Sequence, residues 1–158
     1  MEHISKELNI GRAGEYIALA DLILKGEKAF LTDQGMNYDL VVDREGKMIR
    51  LQVKTTQKIR TSFSSSQNRK SSGYFFHLRR AGKGAKRRFE IGEFEGFALV
   101  ILDKKEVFYF PFIGNIPNAL VFRDRETDKG KNILTTGRRL TRYIQDYTWD
   151  EFKQICKK

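Results

Sequence analysis

The run YDLVVDREGKMIRLQVK, residues 38–54, constrains the fold more than any other stretch of the chain. Apolar and polar residues alternate on either side of a short turn, the pattern of two half-buried strands folded into a hairpin. Leu40 and Val42 fall on one face of the first strand, with Asp39, Val41 and Asp43 on the other. In the second, Ile49, Leu51 and Val53 oppose Met48, Arg50, Gln52 and Lys54. The turn Asp43-Arg44-Glu45-Gly46 ends on a glycine able to take the positive φ that a tight hairpin needs. A carboxylate at the head of one strand thereby neighbours an amide and an ammonium on a single face of the next.

Residues 5–25 predict a helix, because Ala13, Ile17, Ala20 and Leu24 recur at helical spacing and Gly26 stands where it would end. Leu19, Leu22 and Ile23 extend the apolar surface to other sides, which predicts a well-buried helix. Glu15 shares a side with Leu19 and Leu22, and a carboxylate in such surroundings is either paired with a cation or used.

Beyond the hairpin, TTQKIRTSFSSSQNRKSSG is polar and serine-rich and predicts a mobile loop ordered only by a ligand. YFFHL reads as a strand, RRAGKGAKRR as an exposed basic turn, and GFALVILD with VFYFPF as a second hairpin joined through Lys104, Lys105 and Glu106. Residues 115–137 have no clear periodicity. RRLTRYIQDY reads as a helix, and Thr148-Trp149-Asp150-Glu151 as the capping box that opens a final one. This order predicts one α+β or α/β domain, a central mixed sheet flanked by helices, with a core over about 5–113 and a C-terminal helical extension over about 114–158.

Charge narrows the function. The chain carries +10 overall, and from Gly46 to Phe89 it has no Asp or Glu but thirteen Lys and Arg in 44 residues. A long single-sign field repels itself unless an anion lies beside it, so a polyanion is expected. Because the cations sit in serine- and glycine-rich sequence and not along an amphipathic helix, nucleic acid fits better than a membrane surface. Lys58, Arg60, Arg69, Lys70, Arg79, Arg80, Lys83, Lys86, Arg87 and Arg88 are the expected contacts, mostly to phosphates.

Several chemistries are disfavoured. Cys156 is the lone cysteine, so neither a disulfide nor a cysteine zinc site can be assembled, and a reducing, cytoplasmic setting is expected. His3 and His77 lie too far apart in sequence to read as a zinc pair. No apolar run approaches the roughly 20 residues of a membrane helix, and the first residues have no signal-peptide core. Tyr74, Phe75, Phe76, Phe108, Tyr109 and Phe110 read as core packing in preference to base-stacking platforms.

Asp39, Gln52 and Lys54, with Glu15 from the helix, supply hard oxygen donors and one ammonium, the set that metal-assisted phosphodiester hydrolysis requires. In GRAGE, YDLVV and LQVKTT the chain resembles the PD-(D/E)XK nuclease superfamily over residues 11–56, and more loosely through GFALVILDKKEVFYFPF. The resemblance is greatest to its small group I intron homing endonucleases, which also use Gln where an acid is usual. It implies a restriction-endonuclease-like core and Mg2+-dependent cleavage of double-stranded DNA, with Mn2+ able to substitute. It also implies metal held by Asp39, Gln52 and Glu15, with Lys54 assisting hydrolysis. Tyr38 stands in place of the signature proline, and Gln52 in place of an acid removes one negative charge, which weakens the expected metal site. Cutting both strands predicts a homodimer or homotetramer. A structure-selective nuclease such as a Holliday junction resolvase, and a noncatalytic DNA-binding module with a degenerate site, remain the alternatives.

Overall fold

The computed structural model describes residues 6–64, 69–80, 88–127 and 141–157, with backbone alone for residues 62–64 and 69–71. The first helix, α1, is Lys6–Leu24. Gly26 ends it at φ +81°. The Gly26 and Glu27 N–H groups donate to the Ile23 and Leu22 carbonyls at 2.9 and 3.0 Å, satisfying acceptors that a helix end leaves over. The buried stripe is not the one expected. Gly14, Ala18 and Leu22 face inward, whereas Leu24 is 88% and Ile23 52% exposed. A single helix laid on a sheet buries one stripe and leaves its other sides to solvent, so α1 is not well buried all round.

The strands that follow are β1 (Lys28–Leu31), β2 (Leu40–Arg44), β3 (Lys47–Thr56), β4 (Arg60–Ser64), β5 (Arg69–His77), β6 (Gly96–Ile101), β7 (Glu106–Pro111), β8 (Ala119–Arg123) and β9 (Arg142–Tyr143). A five-stranded mixed sheet has the order β1-β2-β3-β6-β7, and a four-stranded one the order β4-β5-β8-β9. Both predicted hairpins are present: β2 pairs antiparallel with β3, and β6 with β7. Because Arg44 pairs with Lys47, the first turn is only Glu45 and Gly46. Both have positive φ, 54° and 85°, which matches the twist of the flanking strands.

Two expectations are corrected. Within TTQKIRTSFSSSQNRKSSG the chain forms β4 and the start of β5, paired from Arg60↔Gly73 to Ser64↔Arg69. The same β5 continues into Tyr74 and Phe76, which are buried against β8, so an anchored strand offers its ladder to a polar neighbour that has no apolar pattern of its own. In RRLTRYIQDY, residues 138–140 lie outside the described residues. The remainder is β9 and a 3-10 turn, Ile144–Asp146, because pairing with β8 and burial of Tyr143 and Ile144 override helical spacing. The segment expected as a helical extension thus also contains β8 and β9. Its final helix, α2 (Trp149–Cys156), opens on the expected capping box: Glu151 N–H donates to Thr148 Oγ1 at 3.3 Å, and Thr148 N–H to Glu151 Oε2 at 3.2 Å.

The five-stranded sheet has a core on each face. On one, Leu40, Val42, Ile49, Leu51 and Val53 meet Ala18 and Leu22 of α1 with Trp149 and Phe152 of α2. On the other, Phe97, Leu99, Phe108 and Phe110 meet Tyr74, Phe76, Leu120 and Phe122 of the second sheet. All six residues of β6 are buried, as expected of a strand covered from both sides.

Candidate active site

The site forms where the central sheet opens. Strand β2 begins at Leu40, opposite Leu51, and the last rung beyond it is Asp39 N–H to the Leu51 carbonyl, 2.9 Å. Strand β3 runs on through Thr56 without β2 beside it. Its next inner N–H, that of Val53, donates instead to Asp39 Oδ2 at 2.7 Å, so the carboxylate replaces the missing strand. Gln52 Nε2 donates to the same oxygen at 2.5 Å. Helix α1 passes the open edge closely because residue 14 is glycine, and this brings Glu15 to the same place.

A cleft of about 840 Å3 lies at this opening, lined by Glu15, Asp39, Gln52 and Lys54 together. All four residues singled out in the sequence therefore meet. Burial holds the Asp39 carboxyl above the usual range, against the pull of the Val53 N–H and the Lys54 charge. Burial also raises Glu15, and the Asp39 charge raises it further, with Arg12 opposing. Lys54 is pushed below the usual lysine range by burial, although Asp39 favours its charged form. Its Nζ donates to the Arg79 carbonyl at 2.7 Å and lies 5.3 Å from the centre of the Phe89 ring.

Two half-desolvated carboxylates that disfavour one another's charge, beside an amide oxygen, are a donor set that suits a hard divalent cation. Among the described residues no group of three or more His, Cys, Asp and Glu is poised for a metal. Gln52, whose amide nitrogen is engaged with Asp39, has its amide oxygen as the one atom with which it could serve as a third donor.

The basic residues divide. Lys58, Arg60, Arg79 and Arg80 line the cleft, while Arg88 lies in a separate small pocket beside Phe89 and Pro117. Arg80 is ion-paired with Glu93, as Arg50 is with Glu95 at 2.7 Å. The acids that follow the acid-free stretch thus neutralise two of its cations. Lys83, Lys86 and Arg87, and the side chains of Arg69 and Lys70, lie outside the described residues.

Tyr38, at the position of the signature proline, carries the Arg50 guanidinium 5.8 Å from its ring centre, and its carbonyl accepts from Thr32 Oγ1 at 2.5 Å. Five of the six aromatic residues read as packing are buried in the interior, but Phe75 is half-exposed and lines the cleft. Glu7, Gly11 and His77 line it too. Glu7 and Gly11 could have been found from their i, i+4, i+8 spacing with Glu15. His77 had no such signal, because its place depends on how the second sheet packs.

A profile of PD-(D/E)XK endonucleases matches residues 6–136. No curated protein matches the chain by sequence. Among solved structures, a bacterial homing endonuclease is similar in fold, with a TM-score of 0.62 at 17% sequence identity, covering 98% of this chain and 95% of that one. Endonucleases of this family generally use divalent metal ions. With more than half of its length matched by the profile, the chain belongs to the PD-(D/E)XK endonuclease family.

Proposed function

We propose that the chain is a sequence-selective, double-stranded DNA endonuclease of the homing type, dependent on Mg2+ or Mn2+. The observation that carries this reading is the meeting of Glu15, Asp39, Gln52 and Lys54 in one cleft whose rim bears Lys58, Arg60 and Arg79. Asp39, Glu15 and the Gln52 amide oxygen would hold the metal. A divalent ion held there supplies a Lewis acid that polarises the phosphodiester and makes water a stronger nucleophile. Lys54 steadies the attacking water and offsets the negative charge that gathers on phosphate as the P–O bond to water forms. The bond to the leaving sugar oxygen breaks, giving a phosphate monoester and a hydroxyl. Lys58, Arg60 and Arg79 hold flanking phosphates.

The homing type is supported by the fold shared with a bacterial homing endonuclease. One candidate site among the described residues and two strands to cut favour a homodimer or homotetramer. No described helix is long and apolar enough to cross a membrane, and the lone Cys156 suits a cytoplasmic setting. The test is incubation of the protein with mixed duplexes and Mg2+ or Mn2+, beside Lys54→Ala and Asp39→Asn. Cleavage of selected duplexes that either substitution abolishes is the expected result. Cleavage confined to four-way junctions regardless of sequence would make it a junction resolvase. DNA binding without cleavage under any metal would leave a noncatalytic module. Light scattering that finds a monomer both free and on DNA would refute the oligomer.

A further inference from the structure

Arg80, which lines the cleft beside Arg79, is held by a carboxylate outside the four residues of the site. Glu93 forms an ion pair with Arg80. It also accepts from Asn37 Nδ2 at 3.1 Å through Oε1, and from the Glu90 N–H at 2.7 Å through Oε2. Arg80 Nη1 in turn donates to Asn37 Oδ1 at 3.2 Å. Asn37, two residues before Asp39, is therefore tied to the residue next to Arg79, whose carbonyl receives Lys54. The Phe89 ring joins the two halves. The Arg80 guanidinium is 5.1 Å and the Lys54 ammonium 5.3 Å from its centre. Phe89 is itself fixed edge-on to Phe94 and Phe97 at 4.9 and 6.0 Å.

We propose that Glu93 is a positioning residue for Lys54, acting through Arg80 and the Phe89 ring to hold the lysine seat in register with Asp39. Two cations beside one ring repel each other, and a carboxylate on the far one relieves that repulsion while fixing the guanidinium in place. Without Glu93, Arg80 keeps Asn37 but loses the carboxylate that balances its charge, the guanidinium is no longer fixed beside the Phe89 ring, and Lys54 leaves the Arg79 carbonyl for other acceptors. A group displaced by about 1 Å from a reacting phosphate loses on the order of a hundredfold in rate, while phosphate contacts elsewhere still bind DNA. The proposal rests on the nuclease reading for its kinetic consequence, and on geometry alone for its structural one.

The test pairs kinetics with a spectroscopic probe of the lysine. The Cε resonance of Lys54, identified by its disappearance in Lys54→Arg, carries the ring-current shift of Phe89. Glu93→Gln is expected to move that resonance toward the free-lysine position, to lower kcat by about tenfold or more and to leave KM within about twofold. Asn37→Ala, which removes the other anchor, should act in the same direction, and it serves should Glu93→Gln fail to fold. A resonance that stays in place, or one that moves with kcat unchanged, overturns the proposal. If the unaltered protein cleaves no duplex with any divalent metal, it is the nuclease reading that fails, and the resonance still decides whether Glu93 seats the lysine.

Discussion

Thr55 Oγ1 occupies the space that a β-carbon on residue 14 would need: a Cβ built on Gly14 would lie 1.9 Å from it. The contact sets how closely α1 approaches β3, and so how far Glu15 reaches toward Asp39.

Gly14→Ala should therefore destabilise the fold, although alanine is the better helix former by about 1 kcal/mol. Pushing helix and strand apart costs about 1–3 kcal/mol in a packed contact, and the steric loss wins. Chemical denaturation should show the midpoint falling without a change in slope. Adding Thr55→Ala should recover part of the loss, since the oxygen and the Cγ2 at 3.0 Å are then gone.

Asp39→Asn should abolish cleavage yet stabilise the metal-free protein. The folded-state pKa of Asp39 is raised. Its protonated form therefore favours folding below the unfolded pKa, and that contribution is lost as pH rises through the folded value, leaving a penalty at neutral pH. Asparagine keeps an oxygen for the Val53 N–H. A melting temperature about 1–3 °C higher without metal, and insensitive to added Mg2+, is expected. A lower one would show that the buried charge is not the dominant cost.

Asp124 behaves oppositely. It is 1% exposed and accepts from Lys104, from Gln145 Nε2 at 2.7 Å and from the Glu126 N–H at 2.9 Å. Burial works against its charge, but these partners overcome that and set its pKa below the usual range. Its stabilisation is therefore present above the unfolded pKa and lost as pH falls through the folded one. Lys104→Met should cost about 1–3 kcal/mol at neutral pH by leaving the carboxylate short of a partner, with the difference from the unaltered protein shrinking in acid.

Affinity for duplex DNA should fall steeply with salt, and each phosphate-binding cation removed should lower the slope of log K against log salt by about 1. Lys58→Ala and Arg60→Ala should each do so. Arg80→Ala should leave the slope unchanged, because Glu93 already neutralises that guanidinium. An equal drop for all three would show that Arg80 leaves Glu93 when DNA binds.

What the sequence determined by itself was local and periodic. The alternation in residues 38–54 specified a hairpin and placed Gln52 and Lys54 on one face, since a strand has a period of two whatever surrounds it. The Thr148–Glu151 pair specified a helix start through bonds made within one turn. Tertiary structure decided what depends on distant partners. It turned a serine-rich stretch into β4 because β5 was anchored elsewhere, and drew Tyr143 and Ile144 into β9 and the core in place of a helix. It also spent Arg80 and Arg50 on Glu93 and Glu95. Charge sums along a chain cannot reveal such pairing, because Coulombic energy depends on distances in space and not on separation in sequence.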